Sequence, residues 1–104
     1  MDIEAYKQKA QVIKAMAHPS RLRILDALGE GEKCVCELQH LVGSSMSTVS
    51  KHLAVMKNAG IVTERKAGLK IFYRLRVPCI LRFFDCVDAV LREQKAAYNL
   101  IVGE

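Results

Sequence analysis

The stretch SSMSTVSKHLAVMKNAG, residues 44–60, decides the fold of this chain. Its apolar residues recur at i, i+3, i+7 and i+10, which predicts a helix from Met46 to Lys57 with one buried stripe. That stripe consists of Met46, Val49, Leu53 and Met56. Ser44 or Ser45 can cap the start of the helix, and Asn58-Ala59-Gly60 ends it.

Further helices lie on both sides of this stretch, and a β-hairpin follows it. Pro19 after His18 separates the first two helices, because a residue before proline avoids the helical region. The predicted helices span Ile3–Ala17, Pro19–Leu28, Lys33–Leu41 and Pro78–Leu100, and the strands Ile61–Lys66 and Leu69–Arg76 are joined by Ala67-Gly68. Buried positions are predicted at Tyr6, Ile13, Met16 and Ala17 in the first helix. The fold class is mainly α with a small β-hairpin, a dimeric winged helix-turn-helix in which residues 1–104 form one domain.

The polar face of the central helix is suited to double-stranded DNA. In a winged helix-turn-helix the second helix of the pair lies in the major groove. Short hydroxyls can donate to phosphates or base edges, and lysines neutralise phosphate charge. The predicted DNA-binding residues are Ser45, Ser47, Thr48, Ser50, Lys51, His52 and Lys57, with Arg65, Lys66, Lys70 and Arg74 on the hairpin. A net charge of +5 also favours a polyanionic partner. The alternative is a winged-helix module used only for protein contacts.

The last helix is apolar over an unusually wide arc, which predicts a homodimer. One stripe contains Ile80, Phe84, Val87 and Leu91, and a neighbouring one contains Cys79, Phe83, Cys86 and Val90. So wide an arc needs more partner surface than one thin domain provides.

Composition limits the remaining classes of function. The first 14 residues carry charges throughout, and no apolar window is long enough to span a bilayer, so we expect a cytoplasmic protein with no membrane partner. In a reducing compartment the four cysteines favour metal, metalloid or redox chemistry over structural disulfides. Because no catalytic constellation is visible, we expect neither an enzyme nor an organic cofactor.

Several motifs resemble the ArsR/SmtB family of metal- and metalloid-responsive repressors. These are Ala17-His18-Pro19-Ser20-Arg21-Leu22-Arg23-Ile24-Leu25, Ser47-Thr48-Val49-Ser50-Lys51-His52-Leu53, Asn58-Ala59-Gly60-Ile61-Val62 and the hairpin segment Lys70–Leu75. The resemblance covers nearly the whole chain. It implies a cytoplasmic homodimer, joined through the first and last helices, that occupies operator DNA until an inducer binds.

Cys34-Val35-Cys36-Glu37-Leu38 resembles the cysteine motif of the family's arsenic and cadmium/lead sensors. Soft thiolates select thiophilic ions, so Cys34 and Cys36 are candidate ligands for arsenite, with antimonite or a soft divalent metal as alternatives. Residues i and i+2 lie about 200° apart on a regular helix, so both can bind one ion only if the helix start distorts. Related arsenic sensors carry a third cysteine where this chain has Gln39.

A third thiolate would have to come from Cys79, Cys86, the partner chain or a small thiol. Cys79 and Cys86 lie about 10 Å apart along a helix, too far to share one ion, and packing in the dimer interface is their alternative role. His40 is a candidate auxiliary ligand, and His18 a capping or packing residue. Asp85 and Asp88 have no nearby histidine, which disfavours zinc on that helix. A thiol-redox sensor, switched by a disulfide or persulfide, is the second interpretation.

Overall fold

A computed structural model describes residues 2–102. This range contains five helices and three short strands. The helices are α1 (Ile3–Met16), α2 (Pro19–Leu28), α3 (Val35–Val42), α4 (Met46–Asn58) and α5 (Ile80–Val102), and the strands are β1 (Lys33–Cys34), β2 (Val62–Ala67) and β3 (Lys70–Leu75). This is the predicted winged helix-turn-helix order, with α3 and α4 as the helix pair and β2–β3 as the wing. None of the helices within these residues is long and apolar enough to cross a membrane.

Local capping explains where the helices begin and end. The ring Nδ1 of His18 accepts the Ser20 N–H at 3.0 Å, which makes His18 the N-cap of α2, as predicted. The Ser45 hydroxyl accepts the Thr48 N–H at 3.2 Å and caps α4. Gly43 closes α3 in the left-handed conformation, with φ of 77°, where a side chain would be strained. This turn fixes the angle at which α4 leaves α3.

The sheet has three antiparallel strands rather than the predicted two. Its order is β1-β3-β2, and Cys34 of β1 pairs with Phe72 of β3. The predicted helix start at Lys33 was therefore wrong, because the chain pairs with the wing before α3 begins at Val35. A strand of two residues has no periodicity that a sequence could reveal. The wing turn also lies one residue later than predicted, since β2 extends to Ala67.

The core lies between α2, α3, α4 and the wing. Its fully buried side chains are Ile24, Leu25, Leu38, Val49, Leu53, Met56, Ile61 and Val62. Three of the four residues predicted for the stripe on α4 are among them, and the exception is Met46, which is 40% exposed. In α1 only Ala15 and Met16 are buried, so the prediction was wrong for Tyr6, Ile13 and Ala17.

An uncovered apolar surface runs along α1, α2 and α5. Its exposed members include Ile13, Leu22, Phe83, Val87, Val90 and Leu91. With neighbouring residues, most of these side chains line a groove of about 420 Å³. Of the predicted apolar residues on α5, Ile80 and Phe84 pack against the core of the same chain, and the others are left in solvent. Exposed apolar patches of this kind mark interaction surfaces.

Candidate nucleic-acid interface and cysteine pocket

The outer face of α4 is polar and exposed. Successive residues turn by about 100°, so the side directly opposite the buried residues carries Ser47, Lys51, Ala54 and Asn58. Ser50 and Thr48 lie on either flank of that side. Asn58 was not among the predicted site residues, although the same helical spacing would have placed it there. The structure thus presents a strip of short side chains with one central lysine, which is narrow enough to approach another surface closely.

The hydroxyls at the start of α4 form a small network. Ser45 Oγ donates to Thr48 Oγ1 at 2.9 Å and lies 3.3 Å from Ser47 Oγ. These bonds orient the first turn of α4. Within residues 2–102 the side chains of Ser50 and Lys51 form no hydrogen bond, so they are available to an outside partner.

His52 does not belong to the exposed face of α4, and the prediction that its side chain is exposed there was wrong. The residue is only 8% exposed, and its Nδ1 accepts a hydrogen bond from Arg21 Nε at 3.0 Å. Its ring lies 4.5 Å from that of His18. Burial, followed by the charges of His18 and Arg21, lowers the pKa of His52 below its ordinary value. His52 therefore joins α4 to the start of α2. Arg21, which also donates to the Ala15 carbonyl at 3.2 Å, escaped the sequence analysis because it acts across 31 residues.

The base of the wing is tied to the end of α4. Lys57 Nζ lies 2.7 Å from Glu64 Oε1, while Glu64 Oε2 accepts the Tyr73 hydroxyl at 3.0 Å. These hydrogen bonds hold the pKa of Glu64 below its ordinary value, with Lys57 as the main cause. Burial is the main reason that the pKa of Tyr73 rises to about 12, and the bond to Glu64 adds to it. Lys57 is thus exposed, as predicted, but already neutralised.

Arg65 is held in a similar way. Its guanidinium donates to both Glu32 oxygens, with Nη2–Oε1 at 2.6 Å and Nε–Oε2 at 3.1 Å, and lies over the ring of Phe72 at 4.7 Å. Such bidentate geometry is the strongest form of an exposed ion pair. Within residues 2–102, the predicted DNA-binding cations that form no ion pair are Lys51, Lys66, Lys70 and Arg74, and Arg74 Nε donates to Thr63 Oγ1 at 3.2 Å. All four are exposed. The predicted cations therefore fall into a paired and an unpaired group.

Cys34 and Cys36 line one shallow pocket of about 230 Å³ between α3, α4 and the wing. Cys34 is buried and Cys36 is exposed. The other lining residues are Val35, Met46, Ser50, Leu69, Lys70 and Ile71. The two cysteines thus share a pocket with the first residue of α4 and with the wing.

The backbone at Cys34 removes the need for a distorted helix. Cys34 is the N-cap of α3, with φ of −80° and ψ of 160°, and its N–H donates to Glu37 Oε1 at 3.1 Å. Because Cys34 precedes the helix, the angle of about 200° between residues i and i+2 does not apply, and that part of the interpretation was wrong. The pKa of Glu37 lies below its ordinary value, chiefly because of the hydrogen bonds from Cys34 and to a smaller extent because of the charges of Lys33 and Lys70.

The other candidate ligands lie elsewhere. Among residues 2–102 no group of three His, Cys, Asp or Glu side chains is placed to hold a metal ion. His40 is exposed and does not line the pocket. Cys79 and Cys86 are both free and exposed, and neither reaches the pocket. Cys79 lies in the turn before α5, since that helix begins at Ile80 rather than at the predicted Pro78.

Comparison with known proteins places the fold and motifs in one family. A family model described as "Bacterial regulatory protein, arsR family" matches residues 18–64. The chain is 36% identical over 93 residues to a transcriptional repressor SmtB homolog of Synechocystis, covering 89% of this chain and 70% of that protein. It is 42% identical over 84 residues to an arsenic resistance transcriptional regulator of Pseudomonas putida, covering 78% and 61%.

A solved structure shares both the fold and the sequence. It is the homodimeric winged helix-turn-helix DNA-binding domain of a possible ArsR-family regulator from Mycobacterium bovis, determined by NMR. The TM-score is 0.76 at 34% identity, over 88% of this chain and 85% of that one. Some curated relatives are longer, and this chain spans 39% of the length of one of them.

Proposed function

The chain belongs to the ArsR family of bacterial regulatory proteins, which are DNA-binding transcriptional regulators and not enzymes, and from this premise we propose that it is an arsenite-responsive repressor. In this proposal a cytoplasmic homodimer binds operator DNA and leaves it when a thiophilic species binds Cys34 and Cys36. One observation carries the proposal: both cysteines line a pocket whose other walls include Met46 and Ser50 of α4 and three residues of the wing turn and β3. A ligand in that pocket would touch both elements that face DNA.

The DNA-binding surface combines α4 with the wing. Its members are Ser45, Ser47, Thr48, Ser50, Lys51, Lys57, Arg65, Lys66 and Lys70, all exposed. Lys51, Lys66 and Lys70 supply unpaired positive charge, whereas Lys57 and Arg65 must share their carboxylate partners with phosphate. Asn58 joins this set because it lies on the same strip as Lys51.

The dimer would form through the uncovered apolar surface of α1, α2 and α5. The M. bovis relative is a homodimer with the same fold. Two winged helices related by a two-fold axis present two α4 helices to successive major grooves, which matches a palindromic operator.

The cysteine pocket fits arsenite in part. Two cysteines of one chain line the same pocket, and thiolates are the ligands that arsenic prefers. A trivalent arsenic centre would crosslink the buried Cys34 to the exposed Cys36. A third ligand has to come from a small thiol or from hydroxide, since Cys79 and Cys86 lie outside the pocket.

The test is release of DNA by arsenite. A DNA fragment selected from a random pool by the reduced full-length chain is labelled, and its anisotropy is followed during anaerobic titration with arsenite. We expect release from wild type, and weaker release from Cys34→Ser and Cys36→Ser. Cys86→Ser is the matched control and should respond like wild type.

Three outcomes would contradict the proposal. If both pocket variants release DNA like wild type, the inducer site lies elsewhere. If arsenite fails while hydrogen peroxide or a polysulfide releases DNA from wild type but not from Cys36→Ser, the chain is a thiol-redox sensor. Absence of any DNA binding would favour a protein-interaction module.

A further inference from the structure

The cysteine pocket contains a third sulfur that is not a cysteine. Met46, the first residue of α4, lines the same pocket as Cys34 and Cys36. Its spacing predicted a core position, yet Met46 is 40% exposed while Val49, Leu53 and Met56 of the same stripe are fully buried. Core packing therefore does not account for the position of Met46.

A cation lies in the wall of the same pocket. Lys70 of β3 lines it and forms no ion pair within residues 2–102. Lys70 lies two residues before Phe72, the strand partner of Cys34, which places Lys70 near the start of α3. The pocket thus joins two thiols, one thioether and one unpaired ammonium from four segments of the chain.

We propose that Cys34, Cys36 and Met46 form a three-sulfur site for Cu(I), with Lys70 as its counter-ion. The proposal deepens the inducer pocket described above and rests on that pocket being the regulatory site. Thiolate and thioether sulfurs together are the soft ligand set that selects Cu(I). Cu(I) would be a second class of inducer beside arsenite. Arsenite itself gains little from a thioether ligand.

The charges of the complex favour Cu(I) at this position. Binding releases one proton from each thiol, and copper enters and remains as Cu(I), so no electron is transferred. Two thiolates and one Cu(I) then carry a single net negative charge, which the ammonium of Lys70 neutralises. As(III) with the same two thiolates carries a net positive charge, and Lys70 would repel it unless an additional anion bound.

The same arrangement connects the ion to DNA release. A Cu(I) ion bound to Met46 fixes the first residue of α4 against α3. The complex also attracts Lys70, which is one of the unpaired cations of the DNA-binding surface. Each occupied chain therefore loses one phosphate contact, and the slope of log K against log salt should become less negative by about 0.9 per chain.

The test compares two methionine variants of the reduced full-length chain under anaerobic conditions. Met46→Leu removes the thioether at nearly constant volume, and Met56→Leu makes the same change on the buried side of α4 as the matched control. Cu(I) affinity is measured by competition with a chromophoric Cu(I) chelator, and the number of bound sulfurs by X-ray absorption. Circular dichroism checks that both variants are folded.

We expect wild type and Met56→Leu to bind one Cu(I) per chain through three sulfurs. Met46→Leu should retain two sulfurs and lose affinity by at least about tenfold, since loss of even an outer-shell partner of a bound metal costs about 10- to 100-fold. Lys70→Gln should bind Cu(I), but Cu(I) should not change the slope of its log K for DNA against log salt.

The failure of this proposal can be told apart from the failure of the proposed function. The three-sulfur site is wrong if Met46→Leu keeps three sulfurs and full affinity. It is also wrong if wild type does not bind Cu(I) while arsenite still releases DNA through Cys34 and Cys36. In both cases the arsenite response stands. If neither ion releases DNA, the pocket is not the regulatory site and both proposals fail.

Discussion

Replacing Lys51 with glutamine is expected to weaken DNA binding in a way that reports its position. Lys51 lies at the centre of the exposed side of α4 and forms no ion pair within residues 2–102, so its removal leaves no carboxylate unpaired. Each phosphate contact contributes about 0.9 to the slope of log K against log salt. A homodimer loses two such contacts, and the slope should change by about 1.8.

This change has a direct consequence for affinity. Between 50 and 200 mM salt, wild type should lose about tenfold more affinity than Lys51→Gln, since a fourfold change in salt acts on a slope difference of about 1.8. The assay is fluorescence anisotropy of the selected DNA fragment at four or more salt concentrations. Lys95→Gln, an exposed lysine of α5, is the matched control. Equal slopes for the two variants would refute the assignment of α4 as the DNA-facing helix.

Three further predictions concern the contacts that hold this surface. Ser45→Ala should lose about 1 kcal/mol of stability in urea denaturation because α4 loses its N-cap, whereas Ser44→Ala should change it little. Glu64→Gln should free Lys57 for phosphate and steepen the salt dependence of DNA binding; an unchanged slope would mean that the pair persists on DNA. Because burial lowers the pKa of His52, the folded state binds fewer protons there than the unfolded state does as the pH falls. The stability that the neutral His52 contributes is therefore present above pH 6.5 and is lost on acidification. Unfolding free energies between pH 7 and 5 should therefore fall less steeply in His52→Gln, and parallel curves would contradict this.

Local spacing and capping were enough to predict most of the fold. The stripe of Val49, Leu53 and Met56, the cap at Ser45 and the left-handed glycine at Gly43 each depend on residues within one or two turns of the chain. Each of these signals lies in the segment whose structure it determines, so the order of helices and the wing could be predicted from them.

The site was predicted only in outline. Helical periodicity placed Lys51 and Ser47 on the exposed side of α4, but it also placed His52 there. The error arose because His52 lies at the edge of the buried arc, where a hydrogen bond from Arg21, 31 residues away, determines its orientation. Likewise, nothing near Arg65 in the sequence indicates that Glu32, 33 residues away, holds its guanidinium.

The central helix α4, within residues 44–60, was thus determined by its own sequence, since its stripe, cap and polar face are local. What lies beside that helix was decided by the tertiary structure. The pairing of Cys34 with Phe72 moves Cys34 out of α3 and brings both cysteines, Met46 and Lys70 to one pocket. The physical reason is that sheet pairing and side-chain convergence depend on segments far apart in the chain, and their energies appear only once the chain has folded.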